Sequence, residues 1–256
     1  MKIASWNVNS VNARLPNILK WLKTASPDVL LLQELKCTED KFPKQEIEEL
    51  GYSCAVNGQK AWNGVAILSK HPFSEISKGL YKDNNSDEHA RYIEATIKGV
   101  HVSSIYVPNG NPVDTEKYPY KLEWLDKLYN RAKELLDQNI PIIIGGDFNI
   151  IPKDIDALNI TKWENDALYK LESRKKLRAI INLGYTDAFR INNSKPNQYT
   201  FWDYQAGAWQ KNNGIRIDHF LTSPNATDMI IKCEIDKQPR GEEKASDHTP
   251  IVMELE

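Results

Sequence analysis

Asp147 and Asn149, in Gly145-Gly146-Asp147-Phe148-Asn149, are the residues whose types and spacing most directly suggest chemistry. They follow Ile140-Pro141-Ile142-Ile143-Ile144, a run that reads as a buried strand. Two glycines are expected to turn the backbone sharply at its end. In extended chain, residues two apart point to one side, so a carboxylate and a carboxamide would be aimed together. The carboxylate can accept a proton from a water molecule while the amide donates a hydrogen bond to it. The same run is also ordinary turn chemistry.

Recurrence argues for the first reading. Asn7 and Asn9 end a run beginning at Ile3, and Gln33-Glu34 ends Val29-Leu30-Leu31-Leu32. Tyr106 precedes Pro108-Asn109-Gly110, Asp218 lies in Ile215–Leu221, and Ser246-Asp247-His248 precedes Ile251–Leu255. Polar groups at the ends of apolar strands are where sheet enzymes build sites. The chain has no GxSxG, P-loop or GxGxxG motif, and no cysteine in a glycine-rich turn. What remains is carboxylates, asparagines and one or two histidines. Clustered carboxylates need a hard cation, and oxygen donors suit Mg²⁺ or Mn²⁺ over Zn²⁺. The chemistry these residues lead one to expect is metal-assisted hydrolysis of a phosphodiester.

These groups need a scaffold. The 256 residues are 41% hydrophobic, enough for one sizeable core, and a single domain spanning 1–256 is expected. No apolar run approaches the ~20 residues of a membrane span, and the start reads as a strand rather than a targeting segment. Cys37, Cys54 and Cys233 are scattered, so the expectation is a reduced, cytoplasmic protein. A formal net charge of −2 gives no nucleic-acid signal of its own; DNA binding would need local basic surface and a metal. Strands are predicted over Ile3–Val8, Val29–Gln33, Tyr52–Val56, Val65–Leu68, Tyr92–Ile97, His101–Val107, Ile140–Ile144, Tyr199–Trp202, Ile215–Leu221, Met229–Ile235 and Ile251–Leu255. Helices are predicted over Leu15–Thr24, Lys44–Leu50, Glu116–Gln138 and Glu164–Asn182. So many strands favour two packed sheets with helices outside.

Pro27-Asp28-Val29-Leu30-Leu31-Leu32-Gln33-Glu34-Leu35-Lys36 resembles a signature of the exonuclease III family of AP endonucleases. Asn213-Gly214-Ile215-Arg216-Ile217-Asp218, with Leu221 and Ser223, resembles another. Gly146-Asp147-Phe148-Asn149 and Ser246-Asp247-His248 are similar to motifs of the wider endonuclease/exonuclease/phosphatase superfamily. The likeness runs from Ile3 to the C-terminus, and departs at Ala188 and Ile191, where the family favours Ser or Thr and a basic residue.

The resemblance implies a four-layer α/β sandwich like deoxyribonuclease I, two mixed sheets flanked by helices. It implies that Glu34 holds Mg²⁺ (Mn²⁺ as an alternative) with Asn7 nearby, and that Asp247 tunes the metal site. It implies that Asp147 orients or deprotonates the attacking water, that Asn149 helps fix it, and that Tyr106 contacts the scissile phosphate. His248 would stabilise the pentavalent charge, oriented by Asp218. Phe201, Trp202 and Ile215 would form a pocket for a flipped sugar lacking its base, with core packing as the alternative for the aromatics. Asn109 and Arg174 would touch the DNA backbone, Arg174 alternatively being one charge of a solvated helix face.

The activity so implied is Mg²⁺-dependent cleavage 5′ to abasic sites in double-stranded DNA, with 3′→5′ exonuclease and 3′-end trimming. The implied partner is double-stranded DNA, especially abasic sites and 3′ ends, not a membrane; the chain is expected to be a monomer, nucleoid-associated during repair. The competing readings are a superfamily phosphodiesterase acting on phosphoinositide, sphingomyelin or RNA, and a DNA-binding relative without catalysis. The segment around Glu34 disfavours the first, and the presence of Glu34, Asp147, Asn149 and His248 disfavours the second.

Overall fold

The computed structural model describes residues 1–80 and 89–256. In chain order its first part comprises β1 (Lys2–Asn7), α1 (Leu15–Ala25), β2 (Val29–Gln33), α2 (Lys44–Glu48), β3 (Ser53–Asn57) and β4 (Val65–Ser69). Next come β5 (Ser74–Lys78), β6 (Tyr92–Ile97), β7 (Val100–Tyr106), α3 (Lys117–Leu136), β8 (Ile142–Asp147) and α4 (Leu171–Asn182). The rest is β9 (Thr186–Asp187), α5 (Ala188–Asn192), β10 (Asp218–Thr222), α6 (Pro224–Thr227), β11 (Ile230–Ile235) and β12 (Ile251–Leu255).

Two six-stranded sheets form, in the orders β11-β12-β1-β2-β4-β3 and β5-β6-β7-β8-β10-β9. Each has a parallel pair at its centre, β1 with β2 and β7 with β8, joined across α1 and α3. The other strand pairings are antiparallel.

Strand periodicity builds the layers. Val29 and Leu31 of β2 face the core between the sheets, where they meet Ile93, Val102, Ile143 and Phe220. Leu30 and Leu32 face the other way, beneath Ile18, Leu22 and Ile47 of α1 and α2. In β8, Ile143 faces the inter-sheet core while Ile142 and Ile144 lie under Trp124, Leu128, Leu177 and Ile180 of α3 and α4. Strands covered on both faces read as unbroken apolar runs, as these do. The result is the expected helix–sheet–sheet–helix sandwich.

Several local expectations were wrong. Gly145 and Gly146 do not turn the chain; both lie inside β8. A Cβ on Gly145 would stand 2.5 Å from Phe220 and 2.7 Å from Leu31, and one on Gly146 would stand 2.0 Å from the Ile105 carbonyl oxygen. They are glycines because neighbours fill the space. Tyr199–Trp202 is not a strand but contributes isolated bridges from Phe201 to Ile215 and to His248. The helix predicted from Glu164 begins at Leu171, and β5, β9 and α5 were not anticipated. No helix among the described residues is long and apolar enough to cross a membrane.

Candidate active site

The parallel pairs end together. Asn7 of β1 is in register with Gln33 of β2, and Tyr106 of β7 with Asp147 of β8. Asp218, first residue of β10, lies directly across from Asp147. The two sheets therefore deliver their C-terminal side chains to one edge of the sandwich, and Asn7 joins them. Its Nδ2 donates to Glu34 Oε1 at 2.9 Å and to Asp147 Oδ2 at 2.9 Å. Its Oδ1 accepts from the Asn9 backbone N–H at 3.0 Å, which fixes the amide in that sense. Asn7 was expected beside the metal; it presents N–H to both carboxylates and acts as the clamp that sets their spacing.

Glu34, Asn9, Lys36 and Asn149 all have positive φ, between 45° and 55°. Such conformations are unfavourable for residues with a Cβ and collect at functional sites. At Glu34 the turn points the carboxylate back over the strand end, where Lys36 Nζ pairs with it at 2.9 Å. At Asn149 the turn, not strand alternation, brings the side chain beside Asp147. The Asn149 N–H donates to Asp147 Oδ1 at 2.8 Å, and its Nδ2 donates to the Val107 carbonyl at 2.9 Å.

His248 Nδ1 donates to Asp218 Oδ2 at 2.8 Å, while Nε2 stands 3.7 Å from Asp147 Oδ2. Burial opposes a charged imidazole, but Asp218 and Asp147 outweigh it and raise His248 to about 10. The ring is thus an imidazolium at neutral pH, held by one carboxylate and facing the second across a gap. Burial drives the Asp147 carboxyl upward; His248 opposes this and Asp218 reinforces it. Burial also works against the Glu34 charge, yet Lys36 and Asn7 prevail and hold it below the ordinary range. The Tyr106 phenol is pushed well up by burial, then by Glu34 and Asp147, so it is a neutral donor. Asp218 Oδ1 is buried and has no hydrogen-bond partner among protein atoms.

One ligand atom each from Glu34, Asp147 and His248 lie within 4.8 Å of one another. Since His248 holds its proton, a cation here would meet carboxylate oxygens. That donor set fits a hard divalent ion. Asp247 is outside this group: its Oδ1 accepts from Asn9 Nδ2 at 3.0 Å, and Asn9 Oδ1 in turn receives Lys36 Nζ. It reaches Glu34 through that chain and through Ser246, whose Oγ donates to Asp247 Oδ1 and to the Asn7 carbonyl.

Phe201 packs edge-on against the His248 ring at 5.0 Å and, with Ile215, lines a cavity of about 390 Å³. Trp202 does not line it. It is fully buried against Tyr199 and Trp209, its Nε1 bound to Asn212 at 3.1 Å, and is a core residue. Trp163 takes a place in the cavity wall that the sequence did not suggest. On the other flank, Glu34 and Tyr106 open onto a groove of about 440 Å³ with Trp62, Arg91, Asn109 and Lys117. Asn109 Nδ2 reaches Asn149 Oδ1 at 3.3 Å. Arg174 lies along Tyr169, donating to its carbonyl at 3.0 Å, and no contact joins it to the carboxylate cluster.

Sequence reasoning left Asn9, Lys36, Arg91 and Lys121 without roles. Asn9 and Lys36 stood in quoted motifs. Lys121 had a subtler signal: it extends the buried stripe Trp124, Leu125, Leu128 by one helical turn, placing a cation on an apolar face.

Residues 4–248 match the Endonuclease/Exonuclease/phosphatase family. The chain is 32% identical over 267 residues to exodeoxyribonuclease III of Haemophilus influenzae, covering 100% of both proteins. It is 31% identical over 257 residues to an exodeoxyribonuclease of Bacillus subtilis, covering 99% of this chain and 98% of that one. Among solved structures it superposes on an AP endonuclease from Archaeoglobus fulgidus with a TM-score of 0.96 and 37% identity, over 100% of this chain and 99% of that one. A 3′ phosphatase from Neisseria, bound to a product DNA hairpin, gives a TM-score of 0.97 and 36% identity over 100% and 99%. The chain therefore belongs to the Endonuclease/Exonuclease/phosphatase family of metal-dependent hydrolases, as an enzyme related to exodeoxyribonuclease III.

Proposed function

We propose that this enzyme is a DNA repair nuclease that hydrolyses the phosphodiester 5′ to abasic sites in duplex DNA, leaving a 3′-hydroxyl, and that it also trims 3′ ends. The observation that carries the reading is the gap between a charged His248 and the Asp147 carboxylate, with Glu34 beside it. A phosphate seated there meets a cation on one side and a proton acceptor on the other. Relatives with whole-length similarity are named as exodeoxyribonucleases and an AP endonuclease, which supports DNA as substrate.

In this reading Glu34, with Asp147 beside it, holds a divalent cation, taken to be Mg²⁺, which when bound neutralises phosphate charge. Asp147 takes the proton of the attacking water; its raised affinity for protons suits a base working near neutrality. Asn149 and Asn7 fix the orientation of that carboxylate through the bonds described above. His248 stabilises the charge that builds on the phosphoryl oxygens, and Asp218 keeps its ring charged and aimed. Tyr106 donates its phenol proton to the phosphate. The cavity beside Phe201 and Ile215 receives the flipped sugar.

A second reading makes 3′-end processing the dominant activity. Similarity to the Neisseria 3′ phosphatase equals that to the AP endonuclease within one per cent of identity, 36% against 37%.

The test is cleavage of a labelled duplex carrying one stable abasic analogue, beside an unmodified duplex and one ending in a 3′-phosphate, each with Mg²⁺ and with EDTA. Incision 5′ to the analogue, lost with EDTA and in Asp147→Asn, supports the first reading. Phosphate release without incision supports the second. Inactivity on all three removes both.

A further inference from the structure

Lys121 carries a buried amine that the mechanism above does not use. Its residue is 0% exposed, on the core face of α3. Nζ donates to the backbone carbonyls of Asn149 at 2.6 Å and Asn109 at 3.0 Å. No described carboxylate forms a salt bridge with it. Burial pushes this amine down to about 7 against the attraction of Asp147 and Asp166, and an apolar side chain would fill this helix position more cheaply. Its two acceptors belong to different loops, one following β7 and one following β8.

Those loops are joined at three further points: Val107 N–H to the Asp147 carbonyl at 2.9 Å, Asn149 Nδ2 to the Val107 carbonyl at 2.9 Å, and Asn109 Nδ2 to Asn149 Oδ1 at 3.3 Å. Lys121 Nζ spans both loops at once, and it meets Asn149 where that residue takes positive φ. The lysine stem also shapes the neighbouring loop: a Cβ on Gly110 would lie 2.7 Å from Lys121 Cδ.

We propose that Lys121 is a positioning residue: its side-chain nitrogen ties the Asn109 and Asn149 backbones together and so holds Asn149, and through it the Asp147 carboxylate, in the working geometry. This rests on the role given above to Asp147. The inference is distinct from a general core role because the bonds end on the two loops that carry the site, not on the sheet.

The test compares Lys121→Met, which keeps the stem and removes the donors, with Lys121→Gln and Lys121→Arg, which keep donors. Lys121→Met is expected to lower kcat about 10- to 100-fold with KM within about threefold, as for other groups that act by orienting a ligand residue. Lys121→Arg is expected to recover part of the loss. Hydrogen exchange followed by mass spectrometry needs no activity, and should show faster exchange confined to 107–111 and 147–151. A folded Lys121→Met with unchanged exchange in those segments overturns the proposal, whatever the substrate. So does unchanged kcat in a chain whose wild type is active. If both Lys121→Met and Lys121→Gln lose their near-ultraviolet dichroism, Lys121 is a residue of the general core and the proposal fails. A wild type inactive on all three duplexes but with the local exchange change sinks the nuclease reading and leaves the positioning role standing.

Discussion

Among the described residues, two largely buried clusters of carboxylates, each with a histidine, have their charge treated in opposite ways. One contains Asp156, Asp187, Arg190, Arg216 and His219. Arg216 Nε donates to Asp156 Oδ1 at 2.7 Å and its Nη2 to Asp187 Oδ2 at 2.8 Å, while Arg190 also binds Asp156. Burial works against both carboxylates, yet Arg216 holds each below the ordinary range. Burial, then Arg216, push His219 down to about 4, so it stays neutral, its Nε2–H given to the Ile150 carbonyl at 3.0 Å. Acids and guanidinium groups here answer one another. At the other cluster, Asp147 and Asp218 face each other in register with one imidazolium between them. Burial lifts Asp147 and Tyr106, and Asp218 keeps one oxygen without a partner. In the first cluster both carboxylates are answered by guanidinium groups, and the atom left over is a donor, Arg190 Nε. The second is left with charge that a cation and a phosphate would answer, which is what distinguishes a site from a strut.

The sharpest way to break this contrast is to remove one carboxylate from the incomplete cluster. Asp147→Asn is expected to lower kcat about 10³-fold or more, since it removes the proton acceptor. Its melting temperature should equal or exceed that of the wild type, because a buried carboxyl pushed upward is a cost to the metal-free fold. Single-turnover cleavage and thermal unfolding on the same preparation measure both. A variant that is inactive because it is unfolded would end the comparison.

The complementary change is Arg216→Met. It leaves Asp156 and Asp187 buried without their main partner, and breaking such a pair costs about 3–5 kcal/mol. Urea unfolding should show a loss of that size. The fraction that remains folded should retain its cleavage rate to within a few-fold. A stable but inactive variant would instead place Arg216 in the machinery.

Divalent cation sharpens the contrast from the other side. A ligand that binds only the folded chain stabilises it by about 2.7 kcal/mol at 100 times its dissociation constant. Mg²⁺ or Mn²⁺ should therefore raise the melting temperature of the wild type, by about 5–10 °C for a chain of this size. The rise should vanish in Glu34→Gln and persist in Arg216→Met. Equal shifts in all three would locate the ion elsewhere.

How much of this was legible depended on the range of the interactions. Glu34, Asp147 and His248 were readable because each follows or precedes a strand whose apolar run is unmistakable, and a strand end fixes where a side chain goes. The four layers were readable for the same reason: runs such as Val29–Leu32 and Ile142–Ile144 are apolar on both faces. What failed was set by contacts distant in sequence. Gly145 and Gly146 look like a turn, but Phe220, Leu31 and Ile105 require them inside a strand. Tyr199–Trp202 has strand propensity, yet only Phe201 finds bridge partners, and Trp202 is drawn into the core by Tyr199 and Trp209. The clamp role of Asn7 depends on an Asp147 across the sheet interface, which no local pattern encodes. Lys121 falls in the same class, since its acceptors sit in loops at 109 and 149.

Acidity profiles give a smaller effect of predictable sign. His248 is raised above its ordinary 6.5 to about 10 by Asp218 and Asp147, despite burial. The stability this contributes is fully present below pH 6.5 and is lost as pH rises through about 10. Lys121, pushed down to about 7 by burial, acts in the opposite sense over the same range, so the reading is the stability difference between metal-free wild type and His248→Asn, which should shrink as pH rises toward about 10. Across the same range His219, already neutral, contributes nothing, so His219→Asn should leave the slope unchanged.

The smallest expected effect concerns the one place where the sequence departs from the family pattern. Ala188 and Ile191 open and continue α5, immediately after Asp187 and around Arg190, so both belong to the completed cluster's neighbourhood. Ala188 packs into the inter-sheet core with Phe189, where a hydroxyl would find itself among apolar neighbours. Ile191 is 40% exposed, and nothing joins it to the carboxylates of Glu34 or Asp147. Ile191→Lys, which restores a basic residue, should change unfolding free energy by about 0.5 kcal/mol or less, as surface substitutions do. Cleavage at an abasic analogue should be unaffected at both low and moderate salt. If instead the lysine tightens DNA binding and steepens its salt dependence by one phosphate contact, then α5 lies against the DNA, and the compensated cluster supports the substrate surface as well as the fold.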